Sequence, residues 1–384
     1  MKSYKLFFIF LGTLVSFGPF ITDMYLVALP DMMKYFDVDM PTIQLTLTFA
    51  MLGLGCGQIV FGYIGDKYGR KYPLIGALVL FTISTFFSIC FKNINLFLFI
   101  RFIQGCSGAG CIVLARSIIP DLFKKETLVK AISITTLIYT VNRIVSPLLG
   151  GFAFQLGGWK FIFMCLLILG IALSLSACFM PETNIKRIAS KSSLKTLIRN
   201  KSFLYFTCAF TFILIMQFAY IASCPFIFQK HYLISPLLFS FIFSFNAAIF
   251  GVGAFLPAKV EINNKITKNI CLALLLSCIA LIFIPAINAN AYLYEFILII
   301  FRLLTGVCFT IFMSKALDSC RENAGVGAAL LGTFYFLFGS IITPLVGYGN
   351  ILYSSAMVMS VFAGLTYWIS RKVFRLNEIQ GNIE

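Results

Sequence analysis

The chain has 384 residues, of which 60% are apolar and 11% charged, and it contains 44 phenylalanines; soluble proteins run at about 45–50% apolar and about 25% charged. So little polar surface cannot cover so much apolar side chain in water, which excludes a soluble fold. Long apolar runs, without the alternating pattern of an outer-membrane barrel, leave an all-α polytopic membrane protein.

A membrane span needs about 20 apolar residues. Met1-Lys2-Ser3-Tyr4-Lys5 followed by an apolar run looks superficially like a signal peptide. The run continues to Pro30, too long for a cleaved apolar region, and reads as the first spanning helix. In chain order the spans are expected near 6–29, 42–64, 74–91, 95–119, 129–154, 159–180, 202–229, 235–257, 269–286, 292–313, 324–347 and 350–370. The expectation is therefore twelve helices.

The net charge of +16 would suit nucleic acid, but its placement argues for topology instead. With the N-terminus in the cytoplasm, the cytoplasmic segments hold 22 lysines and arginines, the outer loops hold 4, and four arginines remain inside spans. Both termini are then cytoplasmic, and nucleic-acid binding is not expected. The 12 cysteines lie mostly in apolar runs and lack paired metal-ligand spacing, so they read as small packing residues, and neither a disulfide framework nor a metal site is expected.

The longest polar stretch, 181–201, falls mid-chain and separates a first six-helix bundle (1–180) from a second (202–384) with a short cytoplasmic tail. An internal echo supports two parallel halves. Arg101-Phe102-Ile103-Gln104-Gly105 in span four returns as Arg302-Leu303-Leu304-Thr305-Gly306 in span ten. Two parallel six-helix repeats with a site between them is a known transporter plan.

A charge in hydrocarbon costs at least about 2.5–3.5 kcal/mol on insertion scales, so each one needs a reason. Asp23, Arg101, Arg116, Arg143 and Arg302 lie within spans. At about 1.5 Å per residue, Asp23 and Arg101 both come out about 9 Å deep and share a level. Burial favours the neutral form of Asp23 and a nearby arginine favours the ionised form. A carboxyl held between those effects can load and release a proton; a permanent ion pair with Arg101 is the structural alternative. Arg116 sits near the inner surface, where it can snorkel. Glu295, near the outer end of span ten, reads as an interfacial carboxylate in contact with water.

Between spans two and three runs Gly62-Tyr63-Ile64-Gly65-Asp66-Lys67-Tyr68-Gly69-Arg70-Lys71. It resembles the loop signature of the major facilitator superfamily, Gly-x-x-x-Asp-(Arg/Lys)-x-Gly-Arg-(Arg/Lys). Asp121, just past span four, resembles the acidic partner of Arg70. Further residues resemble the Bcr/CflA drug-efflux transporters within that superfamily. These are Thr22-Asp23-Met24-Tyr25-Leu26 with Ala28-Leu29-Pro30, Gln58, Ala115-Arg116 before Asp121-Leu122-Phe123, and Ser146-Pro147-Leu148-Leu149-Gly150-Gly151. In the second half Tyr220-Ile221, Pro225-Phe226, Gln229 and Asn246 fit the same pattern.

The resemblance implies a proton-coupled antiporter, without cofactor, that exports a small organic molecule across the bacterial inner membrane by alternating access. It implies a monomer in the bilayer with protons and a small-molecule substrate as its partners, and a role in multidrug efflux and antibiotic resistance. It assigns proton handling to Asp23 and Arg101. The substrate set expected is Asp23, Tyr25, Gln104, Tyr139, Asn142, Arg143, Tyr220 and Arg302, and the gating set is Gly62, Asp66, Gly69, Arg70, Arg116 and Asp121. Family members commonly carry apolar residues or proline where this chain has Asn142-Arg143. That departure motivates an alternative, export of a native anionic metabolite such as a carboxylate siderophore. The chain carries no His-Glu-x-x-His and no nucleotide-binding loop, so a membrane enzyme and ATP drive are not expected.

Overall fold

The structure is a computed structural model that describes residues 2–123, 125–183, 200–260, 262–320 and 324–380. Most of the 181–201 linker, residues 184–199, lies outside the described residues. The chain forms two compact units, Met1–Ala189 with Ile234–Ser244, and Ser190–Leu233 with Phe245–Glu384. Each is taken by itself.

The first unit opens with α1 (Lys2–Val15), α2 (Phe17–Thr22), a 3₁₀ turn (Leu26–Ala28) and α3 (Leu29–Phe36). Together they form one bent span, turning by 52° between Phe7–Val15 and Phe17–Phe36. Pro19 explains the bend: it lacks an N–H and its ring collides with the Val15 carbonyl four residues back. Then come α4 (Met40–Tyr68), α5 (Lys71–Cys90), α6 (Ile94–Leu122) and α7 (Lys125–Cys178). At about 1.5 Å per residue, the 54 residues of α7 would exceed a hydrocarbon core of about 30 Å more than twofold. The helix breaks at Gly157 and Gly158, where Gly158 has φ +68°, and so supplies spans five and six.

Beyond the linker run α8 (Lys201–Phe226), a π turn (Ile227–His231), α9 (Pro236–Phe255), α10 (Asn264–Phe283), α11 (Ala291–Asp318), α12 (Ala324–Leu345) and α13 (Ile351–Gln380). Among the described residues nine helices are long and apolar enough to cross a membrane, and the bent first pair makes ten. Dividing α7 at its glycines and counting α12 brings the described helical spans to twelve. Spans three and nine, Lys71–Cys90 and Asn264–Phe283, begin before their sequence-read starts at 74 and 269 and end before their sequence-read ends at 91 and 286.

Helix starts are written locally. Asp39, Asn93, Asn200, Asn263 and Asn290 each accept a hydrogen bond from the backbone N–H three residues on, at 2.9–3.1 Å. Each such cap stabilises its helix by about 1 kcal/mol.

Inside each unit one helix pair approaches backbone to backbone through glycines. On α4 and α6 a Cβ at Gly53 would strike the Phe102 carbonyl, and one at Gly105 the Ala50 carbonyl. On α9 and α11 a Cβ at Gly253 would strike the Leu303 carbonyl, and one at Gly306 the Phe250 carbonyl. Every partner in the second set lies 200 or 201 residues after its counterpart in the first. The five-residue echo is therefore the visible part of a repeated helix–helix contact. Small residues suit this contact because association in lipid depends on close van der Waals packing.

Candidate functional site

The first unit gathers its polar side chains where the first span is unwound. Helix α2 ends at Thr22, and residues 23–25 leave the regular helix before the 3₁₀ turn. Asp23 is buried at this break, 6% exposed. Thr22 Oγ1 lies 2.7 Å from Asp23 Oδ1 and 2.9 Å from the Gly18 carbonyl oxygen, so its hydroxyl ties the carboxylate to the end of α2. Asn142 Nδ2 donates to Ser16 Oγ at 2.9 Å and braces the bend from α7. Gly150, also on α7, packs against the backbone of Met24, with no room for a Cβ beside that carbonyl. The break that carries Asp23 is thus held on both sides by span five.

Arg101 is completely buried on α6. Its Nη2 donates to the Ile21 carbonyl at 2.7 Å, one of the last-turn carbonyls that α2 leaves outside its own ladder. Its Nη1 donates to Gln104 Oε1, and Gln104 Nε2 donates onward to Thr85 Oγ1 at 2.7 Å. The guanidinium lies 4.2 Å from the Tyr25 ring centroid and 5.7 Å from that of Phe163. Tyr25 Oη is 3.2 Å from Thr46 Oγ1. Arg101 therefore bonds the backbone beside Asp23 and stacks on the ring two residues beyond it. Held by stacking and by neutral acceptors, this charge supplies a positive potential near Asp23. Arg143 and Tyr139 are half-buried on α7, and Arg143 has interactions of its own.

The second unit repeats the arginine-on-tyrosine arrangement. Arg302 is 2% exposed and lies 4.7 Å from the centroids of both Tyr220 and Phe250. Its Nε donates to the Asn246 carbonyl at 3.3 Å. Asn246 Nδ2 donates to Glu295 Oε1 at 2.9 Å. Glu295 is half-buried, not simply an interfacial group facing water. Its position two turns before Arg302 on α11 was legible, but the Asn246 bond across from α9 was not.

The loop signature forms a separate cluster in the first unit. Arg70 Nη1 pairs with Asp66 Oδ1 at 2.7 Å, and Arg70 Nε with Asp121 Oδ2 at 3.2 Å. The Arg70 and Asp121 side chains are buried, while Asp66 is 74% exposed, so the Asp121 contact is the less screened of the two. Glu182 completes the cluster, and sequence reasoning missed it. Its carboxylate accepts the Arg70 N–H at 2.8 Å and the Lys71 N–H at 3.3 Å, covering the start of α5. Its one signal is that it is the first acid after span six. Gly69 has φ +93°, and a Cβ there would lie 2.8 Å from the Glu182 carboxylate. Gly62 makes an ordinary contact with Val113 and Arg116 is exposed, both outside this cluster. Gly69→Ala is expected to cost about 1–2 kcal/mol from backbone handedness alone, read as a lowered midpoint of thermal unfolding in detergent, with Gly62→Ala, inside α4, neutral or slightly stabilised as the control.

Each unit is a set of membrane-spanning helices with a buried arginine laid on a tyrosine, and the first adds an acid where its first span leaves the regular helix, an arrangement that suits a transporter. Major Facilitator Superfamily models match residues 9–344, and the chain belongs to that superfamily. It is 31% identical over 378 residues to the uncharacterised MFS-type transporter YdgK of Bacillus subtilis, covering 93% of this chain and 94% of that one. It is 27% identical over 356 residues to the bicyclomycin resistance protein homolog of Haemophilus influenzae, covering 90% and 89%. Among solved structures it resembles a bacterial homologue of the human lysosomal transporter Spinster, inward-facing and occupied, at TM-score 0.77, 17% identity and 97% coverage of both chains. The xylose transporter XylE of Escherichia coli follows at TM-score 0.72, 13% identity and 95% and 97% coverage. At such identities the structural likeness speaks for the fold alone.

Proposed function

We propose that this chain exports small drug-like organic molecules across the bacterial inner membrane in exchange for protons, as a monomer without cofactor, with both termini in the cytoplasm. The observation that carries the reading is Asp23, a buried carboxylate at the turn where the first span leaves the regular helix, with the Arg101 guanidinium bonded to the nearby Ile21 carbonyl. Such a group changes charge when its exposure changes, which is what coupling a proton to a conformational cycle requires. Relatives named for bicyclomycin and chloramphenicol resistance support a drug-like cargo. The excess of lysine and arginine in alternate loops supports the orientation. The substrate contacts proposed are Tyr25, Gln104, Tyr139, Asn142 and Arg143 in the first unit and Tyr220 and Arg302 in the second. The Arg70 cluster is proposed to hold one of the alternating states closed. Nothing in the relatives' names adds weight to the anionic siderophore alternative, whose motive is Arg143 alone.

The direct test uses inverted membrane vesicles acidified by respiration. Adding chloramphenicol or bicyclomycin should dissipate the pH gradient in vesicles that contain the protein, and only there. An unchanged gradient, with no uptake of either drug, would remove the export reading.

A further inference from the structure

The glycine contact between α4 and α6 also brings two thiols together. A Cβ added at Gly57 would lie 2.7 Å from the Cys106 Cα, and one at Gly53 would lie 2.8 Å from the Cys106 backbone nitrogen. The Gly57 and Cys106 Cα atoms are therefore within about 4 Å, and the Cys56 Cα, one residue along, is within about 8 Å of the Cys106 Cα. The Gly57 N–H lies against the Cys106 sulfur, and the Cys56 thiol is an electrostatic neighbour of that sulfur. Cys56 is exposed, Cys106 is half-buried, and both are free thiols. On α4 the exposed residues Cys56, Ile59, Val60 and Tyr63 follow one another at helical spacing and make one open face. The pair thus stands at the rim of a helix contact and is open to a reagent.

Depth and ligand count select what such a pair can hold. Cys56 lies in the middle of Met40–Tyr68 and Cys106 in the middle of Ile94–Leu122, each at least about 18 Å from either helix end at about 1.5 Å per residue. A soft metal dication would have to shed its water in hydrocarbon to reach that level, and zinc-like ions take about four ligands. Among the described residues no group of three or more His, Cys, Asp or Glu could hold a metal ion. A trivalent organoarsenic group asks for less. Its third bond is to its own carbon, so two protein sulfurs complete it, and its hydrated form is neutral. Cys271 on α10 and Cys308 on α11 are also in contact, but both are fully buried.

We propose that Cys56 and Cys106 form a dithiol site, at the open rim of the α4–α6 contact, for a neutral trivalent organoarsenical. The arsonous acid R–As(OH)₂ condenses with both thiols. Two As–O bonds and two S–H bonds break, two As–S bonds form, and two water molecules leave. Arsenic stays trivalent, nothing is oxidised, and no charge is created within the span. Arsenic then bridges α4 and α6 where their backbones already touch, so the helices need not move to receive it. The site is independent of the direction and the energy source of transport.

The test uses purified full-length protein in detergent with phenylarsine oxide as the probe. Intact mass should show one phenylarsenic adduct that survives excess glutathione, a monothiol, and is released by 2,3-dimercaptopropanol, a dithiol. Equilibrium dialysis measures the affinity. Cys56→Ser and Cys106→Ser should each weaken binding about a hundredfold or more, because the second thiol then no longer acts at a high effective concentration. The double variant should be no worse than either single one. Cys90→Ser and Cys208→Ser, at other exposed thiols, should bind as the wild type does. The midpoint of thermal unfolding reports the fold of each variant. A second measurement needs no variant: in the wild type the bound probe should protect Cys56 and Cys106 together from N-ethylmaleimide, read in peptide digests. Protection of one of the two alone would mean a single-thiol adduct and overturn the proposal. An adduct that depends on Cys271 and Cys308, or a wild type that releases the probe to glutathione, would overturn it as well.

Discussion

Asp23→Asn should abolish gradient-driven export while the protein still folds and binds neutral compounds. The side chain is buried at the end of α2 and bonded to Thr22. Asparagine is nearly isosteric and has an oxygen that can take over the Thr22 contact, so the packing survives. The ability to change charge is lost. Arg101 stays where it is, because its own bonds run to the Ile21 carbonyl and to Gln104. An uncoupled variant should still equilibrate a neutral compound down its own gradient, but should show no accumulation in acidified inverted vesicles, against strong accumulation by the wild type. Accumulation at the wild-type level would remove Asp23 from proton coupling. The comparison is sharp because this substitution leaves the side-chain volume almost unchanged, and retained binding of a neutral compound reports the fold.

Gly105→Ala and Gly306→Ala should each destabilise the protein, in the same direction in both halves. In an ordinary helix interior, glycine to alanine stabilises by about 1 kcal/mol, because alanine loses less backbone entropy on folding. Here the added Cβ would overlap the Ala50 carbonyl in one case and the Phe250 carbonyl in the other. Those atoms are backbone and cannot turn aside, so the helices must separate. Overpacking of this kind costs about 1–3 kcal/mol, which outweighs the propensity gain. Gly76 and Gly251 are the controls: a Cβ at either position meets nothing within 4 Å. Their alanine variants should be neutral or slightly stabilised. The measurement is the midpoint of thermal unfolding in detergent for all four variants. A rise in midpoint at positions 105 and 306 would contradict the close approach of these helices.

Several features were legible in the residues because they are set by solvent or by short-range geometry. The bilayer demands apolar runs of a fixed length, so twelve spans can be read from hydropathy even where α7 runs through a kink. The ion pair of Arg70 with Asp121 was anticipated through the loop signature, and a shared level for Asp23 and Arg101 was expected from helix rise. Glu182 escaped, because it meets Arg70 across 112 residues of chain, and a lone acid after a span has no periodicity to mark it. Glu295 was found but misjudged, since its surroundings are set by Asn246 on another helix.

The sequence by itself determined that this is a membrane protein of two repeated halves, because apolar length, charge placement and repeated residues survive without coordinates. Only the tertiary structure decided what each buried charge touches. It laid Arg101 on Tyr25 and on the Ile21 carbonyl, repeated the arginine-on-tyrosine device at Arg302 and Tyr220, and left polar atoms of Gln217, Asn246 and Glu295 with unfilled bonds. The physical reason is that hydrophobic transfer is nearly additive along a chain, whereas hydrogen bonds and ion contacts depend on direction and on distances of a few ångströms between segments far apart in sequence.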